Sequence, residues 1–279
     1  VGIESYAIAE RAYQRALNFA RDRVQGRAVG EVSAERKAIA RHPDVQRMLL
    51  SMRSRIEAMR ALSLFSAAAA DRASHHPDAD ERALGQRRVE VLTPVVKGWS
   101  SEVGNEITGL GLQVHGGMGF IEETGAAQHY RDARITTIYE GTTGIQAADL
   151  VGRKLLRDGG GMVYEIIDLM RADLSAVAGS SGEASQEVGI AALSLVESLL
   201  NATATILESA TRDPRSPFHK SFDYLMLFGT TAAIGIEPDL TPPLVRTFID
   251  SVVDTKRYRD ISPIVSDMRM VKSEDELKI

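Results

Sequence analysis

The stretch PDVQRMLLSMRSRIEAMRAL, residues 43–62, decides the fold. Val45, Met48, Leu49, Met52, Ile56, Met59 and Leu62 recur at three- and four-residue steps, which puts them on one stripe of a long helix. Pro43-Asp44 suits its first turn, because an N-terminal residue of a helix has no use for the N–H that proline lacks. Outward from this stripe the same spacing repeats. Tyr6, Ala9, Tyr13, Ala16, Ala20 and Val24 predict a first helix ending between Gly26 and Gly30. Leu92, Val95, Val96, Trp99, Val103, Ile107 and Leu110 predict a third, with Pro94 either kinking it or restarting it behind Thr93 as N-cap. Between them Asp71 to Glu81 (DRASHHPDADE) reads as a loop. Thr143 to Leu156 is a fourth helical candidate. Helices with one apolar stripe each require a common core, so residues 1–158 are expected to form an antiparallel helical bundle.

After the glycines at 159–161, helical patterns continue over 162–178, 186–212, 218–235 and around 244–258, with turns at 179–185 and 213–217 and breaks at Pro238, Pro242 and Pro243. Residues 159–279 therefore read as a helical C-terminal extension that covers part of the bundle or supports assembly. Neither strand-like alternation nor a fixed-period repeat stands out, and the fold class is all-α.

Composition sets outer limits. Apolar residues make up 44% and charged residues 25%, ordinary for a globular protein, and aromatics are only 5%. Cysteine is absent, which excludes disulfides, thiolate nucleophiles and cysteine-ligated metals, and fits a cytoplasmic setting. No apolar run approaches the ~18 residues of a membrane span, and the first residues carry no signal-peptide pattern. The chain opens on Val1 inside a helical pattern and reads like a piece cut at a domain boundary. Of its charges, 12 Lys+Arg against 7 Asp+Glu fall within residues 1–60, although the whole chain is at −5. Such an Arg-rich section could face phosphates; a solvated helix surface explains the same count.

Chemistry concentrates in residues 113–146, QVHGGMGFIEETGAAQHYRDARITTIYEGTTGIQ. Gly116, Gly117, Gly119, Gly125, Gly141 and Gly144 make it glycine-dense, as a backbone that approaches a ligand closely needs to be, although helix caps use glycine too. The order of its pieces carries more: Gln-x-x-Gly-Gly-x-Gly, then Arg-Asp-Ala-Arg-Ile, then Ile-Tyr-Glu-Gly-Thr-x-x-Ile-Gln. With the opening AIAERAYQRALNFARDRVQGR (Ala7 to Arg27), this resembles the C-terminal helical domain of the acyl-CoA dehydrogenases over about residues 1–157. The extension resembles that of a longer subgroup.

The resemblance implies an FAD-dependent α,β-desaturation of an acyl-CoA thioester in fatty-acid or related acyl-CoA catabolism. A carboxylate removes the pro-R α proton while the β hydrogen leaves as hydride. Glu140 matches that catalytic base, and the acyl chain and flavin would shield it from water, so that it accepts a proton readily. Without the resemblance, a cap on the helix starting near Thr142 is the plainer role for Glu140. Tyr139 and Gly141 fall to the substrate side, where Gly141 leaves room. For FAD, Arg23 matches a pyrophosphate contact, and Gln113, Gly116 and Gly117 match the stretch around the adenosine; both sets serve the flavin of a neighbouring subunit. Gln25 stands where relatives often have Thr or Ser. Thr142 matches a contact to the subunit's own flavin, and Gly144 stands where many relatives have Gln. This arrangement implies a homodimer or homotetramer, with electron-transfer flavoprotein as electron acceptor.

The family's N-terminal helical and middle β-domains have no counterpart here, and the isolated chain is expected to be inactive. An alternative base used by some relatives would fall just before Val1; Glu4 is near that position but does not align with it. Arg131, Asp132 and Arg134 could bind phosphate, but an internal ion-pair network suits them better. His42-Pro43 suits a structural role, and His75, His76 and His115 receive no chemical one. Two other functions remain open: an acyl-CoA oxidase, and a non-catalytic flavin-binding relative that binds DNA. The DNA reading requires a coherent basic surface, which the acidic remainder of the chain does not offer, so no nucleic-acid partner is expected.

Overall fold

The computed structural model describes residues 1–27 and 36–235, and among these it is helical throughout, with a single antiparallel bridge between Val24 and Ala38. Helix α1 spans Gly2–Asp22, α2 Pro43–His75 and α3 Ala79–His115. Every expected residue of the α2 stripe except Val45 is buried. On α1 the buried line differs from the expected one: it is Gly2, Ser5, Ala9, Ala12, Ala16 and Ala20. Tyr6 and Tyr13 sit half-buried at its margin, and Val24 lies beyond the helix, exposed. The cause is close packing. A Cβ on Gly2 would stand 2.5 Å from Val96 Cγ1, and one on Gly104 would stand 3.2 Å from the Ser5 carbonyl, so the face that meets α3 needs small residues rather than large apolar ones.

The expected loop at Asp71–Glu81 shrinks to residues 76–78. Alanines 67–70 are the best helix formers and carry α2 through His75, their polar successors lying on an exposed face. Only Pro77, which has no N–H and restricts His76, stops it. Asp78 then caps α3, its carboxylate accepting from the Asp80 N–H at 2.7 Å, and α2 and α3 form an antiparallel hairpin. α3 runs through Pro94 without a restart. Thr93 caps nothing; its hydroxyl donates to the Val89 carbonyl at 2.7 Å.

An eleven-residue helix that the sequence patterns do not reveal, α4 (Ala126–Thr136), lies against α1 and α3. The fourth candidate becomes α5 (Thr143–Asp149), which runs on as a π-helical stretch, Leu150–Leu155. Beyond it, α6 (Gly161–Ala178) and α7 (Glu183–Arg212) pack together, and α8 (Ser221–Gly235) lies on α3, α5 and α7. One apolar core continues from Ala9 to Ile234. α7 is long and apolar enough to cross a membrane, but Val188, Ala192, Leu195, Val196, Leu199, Ala202 and Ile206 face that core. The helix expected around 244–258, with the prolines before it, lies outside the described residues.

Candidate functional site

Between α4 and α5 the backbone makes a turn that few sequences tolerate. Glu140 has φ +52°, the one non-glycine residue with positive φ among the described residues, and Gly141 follows at +87°. A left-handed L-residue costs ~1–2 kcal/mol, so the surroundings must hold it. Three side chains do. Gln146 Nε2 donates to the Glu140 carbonyl at 3.2 Å, Lys97 Nζ donates to the Gly141 carbonyl at 2.6 Å, and Thr143 Oγ1 donates to Glu102 Oε1 at 2.7 Å. The cap of α5 is Thr142, whose hydroxyl accepts from the Ile145 N–H at 3.4 Å, and not Glu140. The Glu140 side chain is thereby left exposed, its carboxylate accepting no hydrogen bond among the described residues. The chain does not by itself enclose it.

Tyr139 points its hydroxyl at the Glu4 carboxylate on α1, and that bond pushes the phenol up to about 12. Lys97 is only 7% exposed; burial lowers its pKa, against the opposing pull of Glu102 and Glu140. Sequence patterns single out neither Lys97 nor Glu102, and mark Gln146 only as the last residue of the Ile-Tyr-Glu-Gly-Thr-x-x-Ile-Gln motif. The available signal was a lysine on α3 among the small residues Gly98, Ser100, Ser101 and Gly104, all of which are buried.

The second group of residues gathers at the other end of α1. The Phe19 and His115 rings stack at 4.4 Å and bring the last turns of α1 and α3 together. The Arg23 guanidinium donates to Gln25 Oε1 at 3.3 and 3.4 Å. The Gln25 carbonyl meets His42 Nε2 at 2.7 Å, which gives His42 the structural role expected of it. Gln113, Gly116 and Gly117 are exposed beside this junction. Gly116 ends α3 at φ 59°, ψ −139°. Gly117 has neither a positive φ nor a packing reason to be glycine, since a Cβ there would meet nothing within 4 Å. Glu4, beside Tyr139, and Arg23 are 19 residues apart on one helix, about 28 Å.

Arg131 pairs with Glu122 at 3.0 Å and bonds Gln128, which also reaches Asp132; this network is exposed rather than internal. No group of residues suited to a metal ion occurs among those described.

His115 is buried, its Nδ1 2.7 Å from the Gly111 carbonyl, and burial holds its pKa below the ordinary 6.5; His129 is lowered likewise, by burial and by Arg15 and Arg11. The folded state favours the neutral rings. Their contribution is therefore complete above pH 6.5 and is lost as pH falls through the lowered folded values. Thermal unfolding should show Tm falling between pH 7 and 5, with a shallower fall in His115→Gln. An unchanged slope in that variant would remove His115 from the account.

The family model for the acyl-CoA dehydrogenase C-terminal domain matches residues 1–156. Among curated proteins, 3-methylmercaptopropionyl-CoA dehydrogenase of Ruegeria pomeroyi is 46% identical over 239 residues, covering 83% of this chain and 39% of that protein. The broad-specificity linear acyl-CoA dehydrogenase FadE5 of Mycobacterium tuberculosis is 37% identical over 182 residues, 60% of this chain and 29% of that one. Among solved structures, Caenorhabditis elegans ACDH-11 in complex with C11-CoA aligns with TM-score 0.72 at 17% identity, over 97% of this chain and 46% of that chain. The FAD complex of an acyl-CoA dehydrogenase from Bacillus anthracis aligns at 0.66 and 18%, over 95% and 44%. These two establish likeness of fold alone. The chain spans less than half the length of each of these proteins.

Proposed function

Because the chain belongs to the acyl-CoA dehydrogenase family, we propose that it forms the helical, base-bearing part of an FAD-dependent enzyme that desaturates an acyl-CoA between its α and β carbons. The observation that carries this reading is the Glu140 turn: a strained backbone, held by Lys97 and Gln146, presents a carboxylate with no partner of its own. Buttressing of that kind is expected where a side chain must be aimed rather than buried. Glu140 takes the α proton onto its carboxylate as the β C–H bond gives up its hydride. Tyr139, tied to Glu4, walls the turn on one side, and Gly141 has no room for a side chain, since its Cβ would stand 3.1 Å from Gln146 Nε2 and 3.3 Å from Ile145 Cγ2.

FAD, when bound, supplies the two-electron acceptor for the β hydrogen. The residues at the far end of α1 suit such a group. Arg23 and Gln25 offer charge and hydrogen bonds to a pyrophosphate, Gln113 offers an amide, and Gly116 and Gly117 offer open backbone. Thr142 and Gly144 would meet a second flavin beside Glu140. The ~28 Å between the two groups supports a homodimer or homotetramer in which each flavin is shared between subunits. Gly117→Ala gives this a direct check. It should fold as well as wild type while binding FAD more weakly by about tenfold or more, as measured by flavin retention on dilution. Equal affinity would mean that no ligand approaches the backbone there.

We assign the substrate to short acyl-CoA thioesters, the acceptor to electron-transfer flavoprotein and the location to the cytoplasm. Support for the first comes from the substrate in the name of the 46%-identical Ruegeria relative; support for the second comes from a caffeyl-CoA reductase–Etf complex subunit of Acetobacterium woodii, 31% identical over 155 residues. The test is anaerobic bleaching of the flavin in the full-length protein by a panel including 3-methylmercaptopropionyl-CoA and butyryl-CoA, with the present chain assayed beside it. Bleaching by the full-length protein and little or none by the chain alone is expected. A full-length protein that holds flavin but is bleached by no acyl-CoA would end the dehydrogenase reading.

A further inference from the structure

We propose that Lys97 is a positioning residue for the base: its ammonium, through the Gly141 carbonyl, holds Glu140 and Gly141 in the left-handed conformation that presents the Glu140 carboxylate. This rests on the reading of Glu140 as base.

Lys97 sits on α3 with 7% of its surface exposed, and the one hydrogen bond of its ammonium among the described residues runs 2.6 Å to the Gly141 carbonyl. No carboxylate lies within ion-pair distance of it there. Glu102 is committed to the Thr143 hydroxyl, and Glu140 acts on the ammonium only through its field. Burying an ammonium against a neutral carbonyl is a poor way to gain stability, since an apolar side chain of similar volume would avoid the desolvation. What the ammonium does supply is a strong, charge-assisted bond to one particular peptide group.

That peptide group is the one that matters. Glu140 and Gly141 are consecutive positive-φ residues, at +52° and +87°, and the peptide between Gly141 and Thr142 is the exit from the turn. Gln146 holds the preceding carbonyl and the Thr142 cap fixes the start of α5, so Lys97 completes a three-point clamp. Released from it, Glu140 can relax to a right-handed or extended backbone, and its carboxylate swings away. The surroundings tie Lys97 in place: the neighbouring Gly98 has no room for a side chain, its Cβ meeting Leu225 Cδ1 at 3.0 Å and Gln146 Cβ at 3.3 Å.

The test uses the full-length protein with Lys97→Ala and Lys97→Met, the second keeping the volume should the first fold poorly. Amide hydrogen exchange at Thr143 and Gln146, whose N–H groups donate to the Thr137 and Thr142 carbonyls at 3.1 and 3.0 Å, should accelerate about tenfold or more in both. Flavin reduction at saturating acyl-CoA should slow by about tenfold or more while the acyl-CoA Kd changes by less than about threefold, because the loss is of geometry at the reacting centre. In Lys97→Ala, n-propylamine replaces the missing atoms and should restore both readouts, whereas n-propanol should restore neither. Unchanged exchange, or equal rescue by propanol, would show that Lys97 only fills space and would overturn the proposal. If wild type itself is never bleached, the dehydrogenase reading fails and takes the catalytic meaning of the clamp with it. The exchange data still decide whether Lys97 anchors the turn, so the two failures are told apart.

Discussion

Replacing Glu140 by Gln in the full-length protein is expected to slow bleaching of the flavin by saturating acyl-CoA by ~10²–10⁴-fold, the range a positioned general base contributes. FAD content should not change. Glutamine has the same shape and the same difficulty at φ +52°, and the bond from Gln146 goes to the backbone carbonyl, which the substitution leaves in place. Only the proton acceptor is lost. Glu140→Gly makes the complementary case. Glycine adopts positive φ freely, so this variant should melt at or slightly above the wild-type temperature, gaining up to ~1 kcal/mol while losing activity altogether. A residue kept for stability would show the reverse pattern. Turnover retained in Glu140→Gln would move the base elsewhere, and Glu4, bonded to Tyr139 at the edge of the same turn, would be the group to substitute next.

The largest effect on stability is expected where α8 meets α3. Gly229 faces Trp99 so closely that a Cβ would stand 2.2 Å from its Cγ. The indole is fully buried, and its Nε1 donates to Thr230 Oγ1 at 3.1 Å. Neither ring nor helix has room to retreat, and Gly229→Ala should cost ~1–3 kcal/mol by overpacking. Trp99→Ala should cost ~3–5 kcal/mol through the cavity it leaves, and the double variant should cost less than the sum, because the clash disappears with the ring. Denaturant unfolding followed by circular dichroism gives all three values. Additive costs would mean that α8 shifts as a body and does not press on the ring. The contact also reaches the site: Trp99 is two residues from Lys97, and Leu225 of α8 packs over Gly98 against Gln146. The segment after residue 159 therefore backs the clamp on Glu140.

Much of this was legible in the chain. The spacing from Val45 to Leu62 specified a helix because seven apolar residues in phase can be buried together in no other way, and the order of Gln113, Gly116, Gly117, Arg131 and Glu140 marked the family. Helix boundaries were less legible. Asp71 to His75 look like a loop because a polar stretch reads alike whether it is a turn or the solvent face of a helix, and only Pro77, two residues further on, forbids continuation. α4 was hidden for a related reason: exposed, polar and short, it takes its place from packing on α1 and α3 rather than from a stripe of its own. Val24 was assigned to a helix that had already ended, and the closeness of α1 to α3 moved the buried line from the tyrosines to Ser5 and Ala12.

By itself, then, the sequence determined that the chain is helical, which residues of α2 and α3 form its core, and which glutamate to ask about. These follow from local periodicity and from residue order, both of which are written along the chain. Tertiary structure alone decided that Glu140 takes a left-handed backbone, that Lys97 and Gln146 hold it there, and that the ends of α1 and α3, just before Arg23 and Gly117, come together through Phe19 and His115. Apart from Gln146, six positions from Glu140, those relations join residues more than forty positions apart, such as Lys97 and Gly141. They exist only once α3 has packed against α5 and the desolvation of a buried ammonium has been set against one short hydrogen bond.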